Sequence, residues 1–142
     1  MTNQEKNGVA PIVVDDDDYG FKFQDADFDS EDEFKKRIAV ICVSRGKLRG
    51  YEEKLKAMLQ LEKSEDLRRH IVRALGNIGS DGSIPLLMGI LRTEKGLIVG
   101  DTIRALGQLK VSEARALIEP LEKSELEWVA NNARWFAKHI RD

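Results

Sequence analysis

Few residues in this chain are of the kinds that carry catalysis or hold a metal. Its 142 residues include two histidines, His70 and His139, and one cysteine, Cys42. The histidines are 69 residues apart, so they do not form the helix-spaced pair of a zinc site, and no second cysteine can complete one. Cys42 lies within an apolar run, away from the helix starts and basic groups that activate a thiol. The sequence therefore predicts no metal, no cofactor and no catalysis.

Two tryptophans near the end of the chain are the strongest candidates for contacts with a partner. One stripe of the helix predicted over residues 126–140 holds Trp128, Asn132, Trp135 and His139. No further helix is predicted to cover this stripe, and tryptophan is favoured at binding hot spots. We predict a partner-binding surface here. The alternative is that both indole rings fold over the end of the core.

A second candidate surface is basic. The predicted turn after the first helix carries Arg45, Lys47 and Arg49, and that helix itself carries Lys35, Lys36 and Arg37. We expect these six side chains to form one basic edge that contacts acidic protein or phosphate. The alternative is ordinary solvated charge.

Two arginines occupy equivalent positions in successive repeats. Arg73 and Arg104 each begin the sequence Arg-Ala-Leu-Gly, which occurs twice in the chain. We predict that they pair between repeats with acidic groups such as Asp101 or with exposed carbonyl groups. The functional alternative is that they contact an anion.

Charge is divided unevenly along the chain. Residues 1–33 hold two basic residues against eleven acidic ones, whereas residues 34–142 hold 21 against 14. Residues 1–29 include four consecutive aspartates at 15–18 and the aromatic residues Tyr19, Phe21 and Phe23. This segment cannot bury enough apolar area to offset the entropy of ordering, so we predict an acidic arm that is disordered in isolation. The arm either docks on the basic edge or acts only as a solubilising tail.

Internal repetition is the strongest structural signal. Arg-Ala-Leu-Gly at 73–76 returns 31 residues later, and Leu67, Ile98 and Val129 keep the same spacing. Self-similarity at such a period is typical of stacked repeats. Helix-spaced apolar residues with matching start and stop signals predict seven helices. Their predicted ranges are 31–45, 51–63, 65–78, 84–94, 97–109, 113–123 and 126–140.

The repeated motif resembles that of HEAT repeats, in the short form also found in phycobilisome-lyase-type proteins. The first helix reads apolar-Arg-Arg and then Ala-Leu-Gly-x-Ile-Gly between Leu67 and Gly79, and the second reads Ile-Pro-x-Leu-x-x-x-Leu from Ile84 to Leu91. The resemblance implies an all-α protein. Residues 30–142 would form an α-α superhelix, a right-handed solenoid of about three and a half helix pairs.

The fold hosts many roles, so the resemblance implies no single activity. We predict a non-catalytic adaptor or scaffold that binds another protein. Two alternatives stay open. One is a holder of a substrate protein, chaperone-like or similar to chromophore lyases. The other is a weak nucleic-acid binder with the acidic arm as its autoinhibitor, which is less favoured because the body is only mildly basic.

Composition also bears on where the protein acts. No apolar stretch approaches the roughly 20 residues that span a bilayer. A single cysteine has no partner for a disulfide within the chain, which fits a reducing compartment. We therefore expect a cytoplasmic protein with no membrane partner.

Overall fold

The computed structural model of the chain describes residues 22–141. Within this range there are seven α-helices joined by turns and short 3-10 segments, and there is no strand, so the predicted all-α class is confirmed. The helices are α1 (Glu33–Gly46), α2 (Glu52–Leu61), α3 (Glu65–Ile78), α4 (Ile84–Thr93), α5 (Leu97–Gln108), α6 (Arg115–Ile118) and α7 (Glu127–His139).

Side-chain caps determine where several helices begin. The Ser64 hydroxyl accepts a hydrogen bond from the Leu67 amide at 3.3 Å, as its position before α3 predicts. For α1 the predicted start at residue 31 is two residues early, and the preceding serine, Ser30, is not the cap of the helix. The Asp32 carboxylate instead accepts from the Phe34 amide at 2.9 Å, because Ser30 caps the Asp32 amide of the preceding turn.

The third repeat, which begins with α5, departs from the predicted pair of continuous helices. Its second helix, expected as one element over 113–123, is divided into a 3-10 turn Ser112–Ala114, the short α6, and a second 3-10 segment Glu119–Lys123. Pro120 explains the break, because proline lacks the amide proton of a helix interior and its ring clashes with the preceding turn. The sequence contained this signal.

The helices form two layers. The first helices of the repeats, α1, α3, α5 and α7, stack side by side. Each second helix packs against the first helix that follows it: α2 on α3, α4 on α5, and residues 119–123 on α7. Leu75 and Leu106 are completely buried between these layers. The residues that keep the 31-residue spacing, Leu67, Ile98 and Val129, are buried as well.

The segment before α1 packs on the repeats. Phe23 and Phe28 are 1 % and 3 % exposed, and their rings lie 5.4 Å apart in an edge-to-face arrangement. Each ring also contacts Tyr51 at the start of α2. Residues 22–29 are thus ordered against the repeats, and the predicted arm does not extend to residue 29. Residues 1–21, including Tyr19, Phe21 and the aspartates at 15–18, lie outside the described residues, so disorder there stays a prediction.

None of the described helices is both long and apolar enough to cross a membrane.

Candidate protein-binding surfaces

A buried carboxylate joins α3 to α5. Asp101 on α5 is 1 % exposed, and its two oxygens accept hydrogen bonds from Arg69 Nε at 2.6 Å and Arg73 Nε at 3.0 Å. Burying a carboxylate without such partners would cost free energy. The predicted pairing of Arg73 with Asp101 is confirmed. Sequence reasoning missed Arg69, although it lies one helical turn before Arg73 and therefore on the same face.

The equivalent arginine of the next repeat has a different partner. Arg104 Nε donates to Asn132 Oδ1 on α7 at 2.9 Å. The Asn132 amide donates to the Trp128 carbonyl oxygen at 2.7 Å, and Asn132 is 1 % exposed. The expected charged pair is therefore replaced here by an amide contact, and Asn132 is not part of an open surface.

The two tryptophans pack on glycines of α5 rather than projecting from the open end of the array. A Cβ added at Gly100 would collide with the Trp128 ring, and one at Gly107 would collide with the Trp135 ring. The guanidinium carbon of Arg104 lies 3.9 Å from the centroid of the Trp135 ring. Those of Arg69 and Arg73 lie 6.0 Å from the Trp128 ring centroid. The predicted open stripe is thus only partly correct, because Asn132 is buried and Trp135 is half-buried, whereas Trp128 and His139 are exposed. Partner binding by these residues stays a prediction.

A readable signal for this packing was overlooked. Gly100 and Gly107 are seven residues apart, and so are Trp128 and Trp135. Seven residues are about two helical turns. The two indole rings of α7 can therefore fit against the two glycines of α5, because both pairs have the same spacing.

These contacts border an open cleft. The cleft has a volume of about 410 Å³ and is lined by Arg73, Asn77, Asp101, Arg104, Gln108 and Trp128. We name the surface formed by these residues the arginine–tryptophan face. Gln108 donates to Asn77 at 2.9 Å, and Asn77 donates to Ser44 on α1 at 2.7 Å. The Trp128 residue keeps 39 % of its surface exposed, and the Arg73 side chain keeps 42 %. Positive charge and an aromatic ring are thus both available at this face.

The two histidines lie outside this cleft. His139 is exposed, and its Nδ1 lies 3.0 Å from the Trp135 carbonyl oxygen. Burial lowers the pKa of His70; Asp66 opposes this shift, and the nearby Arg73, Arg37 and Arg69 add to it. Across the described residues, no group of three or more histidine, cysteine, aspartate or glutamate side chains is arranged to hold a metal ion.

The predicted basic edge is divided in two. At the start of α1, Lys36 pairs with Glu62 at 3.0 Å and Arg37 pairs with Asp66 at 3.2 Å. Arg45 lies nine residues after Lys36, about 14 Å along the helix at 1.5 Å per residue. Arg45, Lys47 and Arg49 are exposed at that far end, and Lys35 is exposed at the near end. Partner binding by these side chains stays a prediction, but they do not form one continuous patch.

Two acidic residues of the described segment before α1, Asp25 and Asp29, bond to the start of α2. The Tyr51 hydroxyl donates to Asp25 at 2.6 Å, and the Lys54 ammonium donates to Asp29 at 2.7 Å. Burial, together with this hydrogen bond to Asp25, raises the pKa of Tyr51 to about 12. The described part of the acidic segment is therefore held at the start of α2.

Taken together, these features define a stacked helical-repeat protein. Residues 52–137 match the family model of HEAT repeats, and because this is more than half of the chain, the protein belongs to the HEAT-repeat family. Such repeats commonly mediate interactions between proteins. The narrower likeness to phycobilisome-lyase-type repeats stays a prediction. Comparison with curated proteins and with solved structures finds no significant match.

Proposed function

We propose that this protein is a non-catalytic adaptor that binds an acidic segment of another protein on its arginine–tryptophan face. The observation that supports this most strongly is an arrangement found in the first helices of two successive repeats, α3 and α5. In each, an arginine Nε is held by a neighbouring polar side chain, and the guanidinium lies beside an indole ring. Arg73 has Asp101 and Trp128 in these roles, and Arg104 has Asn132 and Trp135.

Prior ordering makes these arginines suitable for binding. A guanidinium offers five N–H donors in a rigid fork that matches a carboxylate, and the hydrogen bonds to Asp101 and Asn132 come from Nε. A side chain already held in place loses less entropy when it binds. At this face Arg69 and Arg73 share one carboxylate, Asp101, and Arg104 bonds to the neutral amide of Asn132. The excess of positive charge favours an acidic partner.

The chain carries a possible competitor for the same face. Four aspartates at 15–18 are tethered to the repeats, and a tethered segment has a high effective concentration. In this proposal the arm lowers the affinity for partners until it is displaced.

The buried single cysteine, Cys42, is compatible with the cytoplasmic location that we propose.

Affinity purification with matched variants tests the proposal. Gln108→Glu adds a negative charge in the cleft at an exposed position, and Gln60→Glu makes the same change at an exposed position on α2. We expect Gln108→Glu to reduce capture of acidic partners about tenfold, because like charges at an interface are strongly unfavourable. Gln60→Glu should capture them as the unmodified chain does. Removing residues 1–21 should increase capture.

The same experiment separates the alternatives. Capture that disappears after nuclease treatment would indicate nucleic acid rather than protein. A bound pigment, detected by absorbance of the purified chain, would favour the chromophore-holding role. Equal capture by both glutamate variants would rule out the arginine–tryptophan face as the binding site.

A further inference from the structure

Two clefts open along the layer of second helices. The first cleft lies between α2 and α4 and has a volume of about 620 Å³. The second cleft lies between the end of α4 and residues 121–126 and has a volume of about 400 Å³. Both volumes fall within the range of pockets that bind small ligands. Within the described residues, the first cleft is crossed by an arginine side chain, and the second cleft is not.

An arginine of the chain itself crosses the first cleft. Arg68 forms two parallel bonds to Glu94, from Nη1 at 2.6 Å and from Nη2 at 2.8 Å. Its Nε donates to the Leu59 carbonyl oxygen in the last turn of α2 at 3.3 Å. The hydrogen bond from Arg68 lowers the pKa of Glu94, against the opposing effect of burial. The first cleft therefore supplies its own cation.

The second cleft has the same plan without that cation. Val99 follows Arg68 by 31 residues, the spacing that relates Leu67 to Ile98, and Leu91 follows Leu59 by 32. Val99 is buried, and no lysine or arginine precedes Arg104 in α5. The last carbonyl groups of a helix lack partners within the helix. No side chain among residues 22–141 donates to the Leu91 carbonyl, whereas Arg68 serves the corresponding carbonyl of Leu59.

The second cleft is apolar inside and acidic at one margin. Its apolar lining consists of Leu91, Val99, Leu121, Leu126 and Val129. Three charged residues complete the lining: Glu94, which Arg68 already holds, and the exposed Lys95 and Glu125. The adjoining residues 119–127 contain four glutamates against one lysine. The chemistry that complements this cleft is a cation next to an apolar side chain.

We propose that the second cleft binds a segment of a partner protein in which an arginine adjoins a large apolar residue. The apolar side chain packs between Leu121 and Leu126. The guanidinium bonds to Glu125 and to the Leu91 carbonyl, as Arg68 bonds to Glu94 and Leu59. The arm of this chain cannot be the occupant, because residues 1–36 contain no arginine and the arm is acidic. This site is separate from the arginine–tryptophan face.

Selection from a random peptide library displayed on phage, with the full chain as bait, tests this proposal. We expect the enriched peptides to contain arginine beside leucine, isoleucine or phenylalanine. A labelled enriched peptide should lose about tenfold in affinity for Glu125→Gln, measured by fluorescence anisotropy, because it loses a hydrogen bond between charged groups. Glu53→Gln is the matched control, since the Glu53 side chain is 83 % exposed on α2, and it should leave the affinity unchanged.

A second variant tests the geometry. Val99→Arg introduces into the second cleft the cation found in the first cleft. It should abolish peptide binding while helicity, measured by circular dichroism, is retained. If Val99→Arg unfolds the protein, the exposed Glu125→Gln variant by itself tests the proposal. Peptides without arginine, or an affinity unaffected by Glu125→Gln, would overturn the proposal. A dimer in sedimentation that Glu125→Gln dissociates would also overturn it, by making a second copy of the chain the occupant. Trp128→Ala should leave peptide binding intact, which keeps this test independent of the arginine–tryptophan face.

Discussion

The second repeat (α3 and α4) and the third repeat (α5, α6 and residues 119–123) share the sequence Arg-Ala-Leu-Gly but are held by different contacts. Ion pairs dominate the second: Arg68 with Glu94, and Arg69 and Arg73 with Asp101. In the third, Arg104 contacts the amide of Asn132, and an indole ring covers Gly107. Stacking thus depends on the shared apolar register, while the polar contacts around it are free to diverge.

The largest expected effect is common to both repeats. Leu75→Ala and Leu106→Ala should each lower the free energy of unfolding by about 2–5 kcal/mol, because both side chains are completely buried. Chemical denaturation monitored by circular dichroism measures the loss. Leu117→Ala, at a residue 38 % exposed on α6, is the control and should cost less than about 1 kcal/mol. A loss of that small size at both core sites would contradict the stacking of the repeats.

The second prediction separates the repeats by charge. Asp101→Ala leaves Arg69 and Arg73 without their shared carboxylate, which should cost about 3 kcal/mol, at the lower end for a broken buried pair because both arginines retain solvent access. Asn132→Ala removes the hydrogen bond from the Arg104 guanidinium and the one to the Trp128 carbonyl oxygen. This should cost about 1–2 kcal/mol, because neither bond joins two charged groups. Denaturation midpoints compare the two variants. Equal losses would show that the ion pairs do not distinguish the second repeat from the third.

Glycine substitutions compare the contact between α3 and α5 with the contact between α5 and α7. A Cβ at Gly76 would lie 2.9 Å from the Ala105 backbone, which cannot move aside, whereas one at Gly107 would meet the Trp135 ring. Gly76→Ala should therefore cost about 2–3 kcal/mol and Gly107→Ala about 1–2 kcal/mol, the latter with a change in tryptophan fluorescence. Gly89→Ala on α4 has nothing within 4 Å and should instead stabilise by about 0.5–1 kcal/mol. Identical fluorescence in Gly107→Ala and the unmodified chain would contradict the packing of Trp135.

The smallest effect concerns acid stability. The folded state lowers the pKa of Glu94, so this contribution to stability is present above the unfolded value of about 4.3 and is lost as pH falls through the lowered value. Replacing Glu94 with glutamine should remove less than about 1 kcal/mol of the pH dependence between about pH 5 and 3, because the pair is partly exposed. Thermal melts across this range measure it. A pH dependence in Glu94→Gln that exceeds that of the unmodified chain would contradict the assignment.

Local signals predicted the repeats well. The bounds of α3 were predicted correctly, since the Ser64 cap and a left-handed Gly79 mark its ends. The apolar period predicted the buried face of α3 but not that of α1, where Phe34 is 61 % exposed. The equivalence of Arg73 and Arg104 predicted one pairing between repeats. The failures involve residues distant in the chain. Phe23 and Phe28 were assigned to a disordered arm by composition, yet Tyr51 and the start of α2 provide a place where they are buried.

The sequence by itself determined the helices, the 31-residue period and the face that each helix buries, because capping, proline and the 3.6-residue turn act within a few residues. Only the tertiary structure decided which side chains of different repeats meet. The offset of one helix against the next places Trp135 on Gly107 and lets Arg68 reach Glu94. Helical periodicity defines a face but not that offset, which follows from the packing of all the side chains together.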